Sequence, residues 1–270
     1  MRPEDFDFVA NLVKERSGLV LTKDKAYLLE SRLMPVARAR NHKGLDELIQ
    51  SLRSSRDERL AREITEAMTT NESFFFRDGK PFEQFKDVVI PHMLASRGAK
   101  KSFRVWCAAC SSGQEPYSLA MMIKEEAAKL SGWKIDIVAT DISTEILNKA
   151  KAGIYSQFEV QRGLPIQLLI KYFRKVDESW QIDPGLKTMI QFKEFNLLHD
   201  LNSLGQFDVV FCRNVLIYFD QPTKTKVLAG ISKLMPNDAF LYLGGAETVI
   251  GISDHFKPYA GQRGIYTLNR

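Results

Sequence analysis

Apolar residues in the first quarter of the chain recur every three or four positions. Phe6, Val9, Leu12 and Val13 form one such set; Leu28, Leu29, Leu33 and Val36 a second; Leu45, Leu48, Ile49 and Leu52 a third. That period matches 3.6 residues per turn, and the breaks fall at Gly18 and at residues 41–44. The pattern predicts an N-terminal helical domain over residues 1–70. From residue 103 the pattern changes to short apolar runs alternating with amphipathic ones. Strands are predicted at 103–109, 135–140, 207–212, 239–243 and 264–268, and helices at 116–130, 143–151 and 221–234. Pro116 sits in a first helical turn, where a missing N–H costs least. Such alternation predicts a mainly parallel sheet with helices on both faces, an α/β domain over residues 101–270. Residues 71–100 read as a linker or junction. One stretch breaks the alternation. Two β-forming runs, 172–182 and 186–192, flank Asp183-Pro184-Gly185, which reads as a turn because Pro presets φ and Gly accepts a positive one. A small antiparallel β-subdomain is therefore predicted at about 172–193.

Composition narrows the class. With 44% hydrophobic and 26% charged residues the 270-residue chain can build a soluble core. No run nears the roughly 18 to 20 apolar residues of a membrane span. Glu4, Asp5 and Asp7 crowd the first nine residues, unlike a signal peptide. The expectation is a cytoplasmic protein with no direct membrane insertion. Three cysteines, Cys107, Cys110 and Cys212, cannot make a disulfide framework, and the four histidines are scattered, so no metal site is expected. A net charge of +5 suits an anionic partner. Within residues 31–45, Arg32, Arg38, Arg40 and Lys43 stand with no Asp or Glu among them; on charge alone this is a solvated helix face.

Candidate chemistry gathers where strands end, because ligands of open α/β sheets bind beyond the strands' carboxyl ends. The first strand leads into Ala108-Ala109-Cys110-Ser111-Ser112-Gly113-Gln114-Glu115-Pro116, small residues ahead of a helix N-terminus. The second ends in Asp141, placed to hold a ribose hydroxyl pair. A third ends in Arg213-Asn214-Val215, a polar group that a sheet does not need. Together these imply a nucleoside-bearing cofactor. Upstream, Asn71-Glu72-Ser73-Phe74-Phe75-Phe76-Arg77 is either a hydrophobic wedge between domains or an active-site wall.

These segments resemble the CheR family of chemotaxis-receptor glutamate methyltransferases. Residues 71–77 are similar to its N-[ED]-[TS]-x-F-F-R signature, and residues 108–118 to its cofactor loop, with Gln114 where Glu is common. Ala139-Thr140-Asp141-Ile142-Ser143 and Cys212-Arg213-Asn214-Val215-Leu216-Ile217-Tyr218-Phe219 resemble two further motifs. The resemblance implies a class I S-adenosylmethionine-dependent methyltransferase fold: Rossmann-like, with a mainly parallel seven-stranded sheet, an N-terminal helical domain and a small antiparallel β-subdomain. It implies cofactor contacts from Asn71, Ser73, Arg77, Glu115, Asp141, Asn196, Leu197, Asn214 and Val215. Arg77 and Tyr218 are the implied catalytic pair, Arg77 as a clamp on the substrate carboxylate. The implied reaction carries a methyl group to glutamates on the cytoplasmic helical bundle of methyl-accepting chemoreceptors, leaving S-adenosylhomocysteine. Arg32, Arg38, Arg40 and Lys43 then become candidate receptor-binding residues, and the protein is expected to act as a monomer without nucleic acid. Base methyltransferases place a motif like N-P-P-Y where Asn214-Val215-Leu216-Ile217 stands here. Some family members also bind a receptor-tail pentapeptide through a glycine-bearing loop. Residues 173–179 hold no glycine, so a pentapeptide-independent enzyme is expected.

Overall fold

The computed structural model describes residues 2–270. The chain divides into two units. One runs up to Thr70 and takes in Tyr218–Lys224; the other comprises Asn71–Ile217 and Thr225–Arg270.

The first unit is built on the helices Pro3–Ser17, Ala26–Ala39, Leu45–Ser55 and Glu58–Met68. Gly18, at φ 80°, ends the first of them and donates its N–H to the Lys14 carbonyl at 2.8 Å, a left-handed cap that a side chain would strain. Asp57 caps the last by accepting from the Leu60 N–H. Val9, Leu29, Leu33, Leu48 and Ile64 are fully buried in its core, as the helical period requires. The segment Tyr218–Lys224 belongs to this unit through specific bonds. Leu19 and Phe219 form an antiparallel bridge, Val20 donates to the Tyr218 carbonyl at 2.9 Å, and Lys14 pairs with Asp220 at 2.8 Å.

In the second unit the strands are β1 (Ser102–Ala108), β2 (Lys134–Asp141), β3 (Ile154–Ser156), β4 (Phe173–Val176), β5 (Ser179–Ile182), β6 (Ile190–Glu194), β7 (Val209–Cys212), β8 (Phe240–Leu243), β9 (Phe256–Pro258) and β10 (Ile265–Leu268). Seven form one sheet in the order β6-β2-β1-β7-β8-β10-β9. The first five run parallel, and β10 is antiparallel to both β8 and β9. The expected α/β fold, mainly parallel with a separate small antiparallel sheet, is what the chain adopts. Strand order reverses direction between β1 and β7, and at such a switch point the loops leaving neighbouring strands diverge and open a crevice.

Two expectations need correction. Residues 71–100 are not a linker: Phe75, Phe82, Phe85, Val89, Ile90 and Met93 lie in the core of the α/β unit. The small sheet is not at 172–193 either. It orders β3-β5-β4 and spans Ile154–Ile182, whereas β6 pairs in parallel with β2 in the large sheet. Asp183-Pro184-Gly185 is a helix start, with Asp183 accepting from the Gly185 N–H at 2.7 Å and Pro184 in the first turn. Asx-Pro serves a helix N-terminus as well as a turn, because both need the same preset φ and side-chain acceptor. The hairpin turn lies instead at Asp177–Glu178, between β4 and β5, with Asp177 at φ 51°.

Candidate functional site

Sheet order β6-β2-β1-β7 sets four strand ends side by side. They deliver, in that order, Asn196 and Leu197, then Asp141, then Ser111 to Glu115, then Asn214 and Val215. Asp141 is buried and its carboxylate is oriented by two main-chain donors, Ser111 N–H at 2.8 Å and Ser143 N–H at 3.0 Å. Ser111 also reaches the segment upstream, its hydroxyl donating to the Asn71 carbonyl at 2.9 Å. The loop after β1 is pinned from below as well, where the Tyr155 hydroxyl donates to the Ser112 carbonyl at 2.7 Å. Gly113, at φ 91°, turns this loop into the helix Gln114–Glu125.

Backbone strain is concentrated here. Among the described residues nine non-glycines have positive φ, and five of them, Phe76, Asp78, Ala109, Ser111 and Asn214, lie in these loops. Each such conformation costs about 1 to 3 kcal/mol and persists only where surrounding bonds impose it, a pattern typical of ligand sites.

The three consecutive phenylalanines face different surroundings. Phe75 is fully buried edge-on to Tyr155 and Phe173, and Phe76 packs edge-on to Phe82. Phe74 lies outside that core, with the Arg162 guanidinium 4.4 Å and the Arg77 guanidinium 5.5 Å from its ring centroid. Arg162 also pairs with Glu72 at 2.6 Å. Gly163 explains how that loop can come so near: at φ 82° it lies where an added Cβ would be 2.1 Å from the Phe75 carbonyl oxygen. Arg77 donates to the Glu72 carbonyl at 2.8 Å; Ser73 is half-buried beside it.

Behind these residues sits a charged hub. The Arg213 side chain is 1% exposed, donating to Glu115 at 2.8 Å, to Asp78 at 2.6 Å and to the Arg77 carbonyl at 3.1 Å. Burial raises the Glu115 carboxyl above its ordinary value, and Arg213 offsets only part of that. The Arg213 Nε is buried with no hydrogen-bond partner. On the far side of Asn214 the Glu247 carboxylate accepts from four main-chain N–H groups, those of Asn214, Val215, Ile217 and Gly244. Burial pushes all three thiols, Cys107, Cys110 and Cys212, well up, so none is poised as a thiolate.

The remaining candidates lie in the helical unit. Tyr218 is half-buried and packs on that unit's core. Arg32 donates to the Met68 and Thr69 carbonyls and to the Thr70 hydroxyl, and Arg40 pairs with Asp57 at 3.1 Å and Glu63 at 2.8 Å. Both are therefore engaged in holding helices. Arg38 and Lys43 are exposed.

Residues 71–265 match the family model for "CheR methyltransferase, SAM binding domain", and residues 4–69 that for "CheR methyltransferase, all-alpha domain". The chain belongs to the CheR methyltransferase family. It is 38% identical over 265 residues to chemotaxis protein methyltransferase Cher2 of Pseudomonas putida, covering 97% of this chain and 96% of that one. Against chemotaxis protein methyltransferase 1 of Pseudomonas aeruginosa the identity is 40% with the same coverage, and against chemotaxis protein methyltransferase 1 of Vibrio cholerae it is 35%, over 97% of this chain and 95% of that one. The CheR domain's cofactor is S-adenosylmethionine. Two site-building residues escaped the sequence reading, Arg213 as a hub and Glu247 as an acceptor. Glu247 follows the apolar run of β8, so the strand-end rule applied once more would have reached it; the partners of Arg213, 98 and 135 positions away, leave no local signal.

Proposed function

We propose that this CheR protein transfers the methyl group of S-adenosylmethionine to glutamate side-chain carboxylates on the cytoplasmic helical bundle of methyl-accepting chemoreceptors, giving glutamyl methyl esters and S-adenosylhomocysteine. The observation that carries it is the row of strand-end residues tied to Asn71 through the Ser111 hydroxyl, in a chain whose relatives are chemotaxis protein methyltransferases. The donor set fits the cofactor. Asp141 suits a ribose diol, since a carboxylate has about four acceptor positions and main-chain amides hold its orientation. Glu115, acidic and largely buried, suits the ammonium of the methionyl part. Asn71, Ser73, Asn196, Leu197, Asn214 and Val215 supply amide, hydroxyl and main-chain groups around it. When bound, the cofactor supplies an electrophilic methyl on a sulfonium.

The protein's own share is positioning. A glutamate of pKa about 4.3 is already an anion at neutral pH, so no general base is required. Its weak nucleophilicity calls for alignment and for exclusion of water. Arg77 acts as the carboxylate clamp: one of its donors is held by the Glu72 carbonyl, and a guanidinium has five, enough for a bidentate pair besides. Arg38 and Lys43, exposed and basic, meet the acidic face of the receptor bundle, whereas Arg32 and Arg40 serve the helical fold. The β4–β5 hairpin, turning at Asp177 without glycine, supports a pentapeptide-independent enzyme. It works in the cytoplasm as a monomer. The test is incubation with methyl-labelled S-adenosylmethionine and receptor cytoplasmic fragments. Label should appear on the fragment and be released by mild base, as methyl esters are; base-stable label, or none, would overturn the proposal.

A further inference from the structure

We propose that Glu247 is a positioning residue for cofactor binding: its carboxylate holds the loop after β7 so that Asn214 and Val215 present themselves to the cofactor. The inference rests on the reading of Asn214 and Val215 as cofactor contacts. Each oxygen of Glu247 takes two amides. Oε2 accepts from Gly244 at 2.6 Å and Asn214 at 2.8 Å, and Oε1 from Val215 at 2.9 Å and Ile217 at 3.2 Å. Its own N–H donates to the Gly244 carbonyl at 2.9 Å, so the acid sits on a turn at the end of β8 and reaches across to the end of β7. Three of the four amides belong to the loop that carries Asn214 and Val215.

The loop needs such a tether. Asn214 has φ 58°, a conformation that Asn tolerates but does not prefer. Hydrogen bonds to an anion are stronger than neutral ones and so can hold it there. Gly244 leaves the room for this approach: a Cβ there would lie 2.7 Å from Glu247 Oε2, 2.7 Å from Asn214 Nδ2 and 2.9 Å from Asn214 N. A glutamine could not replace the acid, because its amide nitrogen would face main-chain donors that need an acceptor.

The measurement is S-adenosylhomocysteine affinity by calorimetry on the full chain, for Asn214→Ala, Glu247→Gln and the double variant, with melting temperature followed in parallel. Glu247→Gln should weaken binding about tenfold or more, the equivalent of about 1.4 kcal/mol. The double variant should bind no worse than the weaker single, since both act through one group. Losses that multiply would overturn the positioning role, as would tight binding by Glu247→Gln when Asn214→Ala binds weakly. Unchanged affinity in Asn214→Ala would instead remove the underlying reading of that residue, and the proposal with it. Should Glu247→Gln fail to fold, the unaltered chain still decides. The amides of Asn214, Val215 and Ile217 must exchange slowly with deuterium before cofactor is added, and fast exchange overturns the proposal.

Discussion

Replacing Arg213 with methionine takes away the cation at the centre of the charged hub while keeping much of the side chain's length and volume. Arg213 is 1% exposed and the Glu115 side chain 12%, so this is a buried pair; Asp78, at 49%, is half in water and its share is discounted for screening. Removing one partner of a buried pair costs about 3 to 5 kcal/mol, because the other charge is left uncompensated. Apolar packing of the methionine returns about 1 kcal/mol, leaving a net loss of about 2 to 4 kcal/mol. At about 2 to 4 °C per kcal/mol for a domain of this class, the melting temperature should fall by about 5 to 15 °C. The loss should also depend on pH. The folded Glu115 carboxyl is already raised by burial, with Arg213 pulling it back, and a raised acid favours the folded form at low pH and loses that advantage as pH rises through its folded value. Without Arg213 the value climbs further, so the deficit should grow from pH 5 to pH 8. Urea unfolding of Arg213→Met at both pH values checks this, with Glu115→Gln added as a second change that should recover about 1 to 2 kcal/mol at pH 8. An equal deficit at both pH values, or no recovery in the double variant, would refute the account of a buried carboxylate held by Arg213.

Other outcomes follow from the same geometry. Gly163→Ala places a methyl on the Phe75 carbonyl at a positive φ and should destabilise by about 2 kcal/mol or more, read by thermal melting; a neutral effect would mean that the loop is not fixed against residues 74–75. Arg38→Glu should slow methylation of receptor fragments severalfold with S-adenosylhomocysteine affinity intact, and unchanged receptor kinetics would remove this helix from the receptor surface. A receptor-tail pentapeptide titrated by calorimetry should show no micromolar binding; saturable micromolar heat would place the β4–β5 hairpin among peptide-binding ones.

The central strands were legible because a buried strand in a parallel sheet is a continuous apolar run, and 209–212 or 137–139, at the hearts of the predicted strands, are such runs. The strand-end candidates were legible for the same reason: once the strands are marked, Asp141 and Asn214 are the residues that follow them. What misled was local chemistry shared by two structures. Asp183-Pro184 opens a helix with the side-chain acceptor and preset φ that a hairpin turn also uses, so the sequence alone assigns β6 to the small sheet instead of to the edge of the large one. The actual hairpin turn, at Asp177, lacks the glycine that would have marked it. Residues 71–100 read as a connector because their apolar positions answer to a sheet that forms later in the chain. Phe75, for example, is buried by Tyr155 and Phe173, a match that only topology creates.

The seven residues Tyr218–Lys224 have a consequence for how such a protein can be taken apart. The chain passes from one unit to the other three times, after Thr70, after Ile217 and after Lys224. The all-helical unit is thus not built from a prefix alone: it takes in Tyr218–Lys224 from far along the chain, with Leu19 bridged to Phe219. A protease cutting at residue 70 would nick this molecule without separating its halves. Gene fusion or swapping that exchanged only residues 1–70 would leave the borrowed stretch facing an unfamiliar host. Since that stretch begins four residues after Asn214, only Val215, Leu216 and Ile217 separate the proposed cofactor residue from chain that belongs to the helical unit.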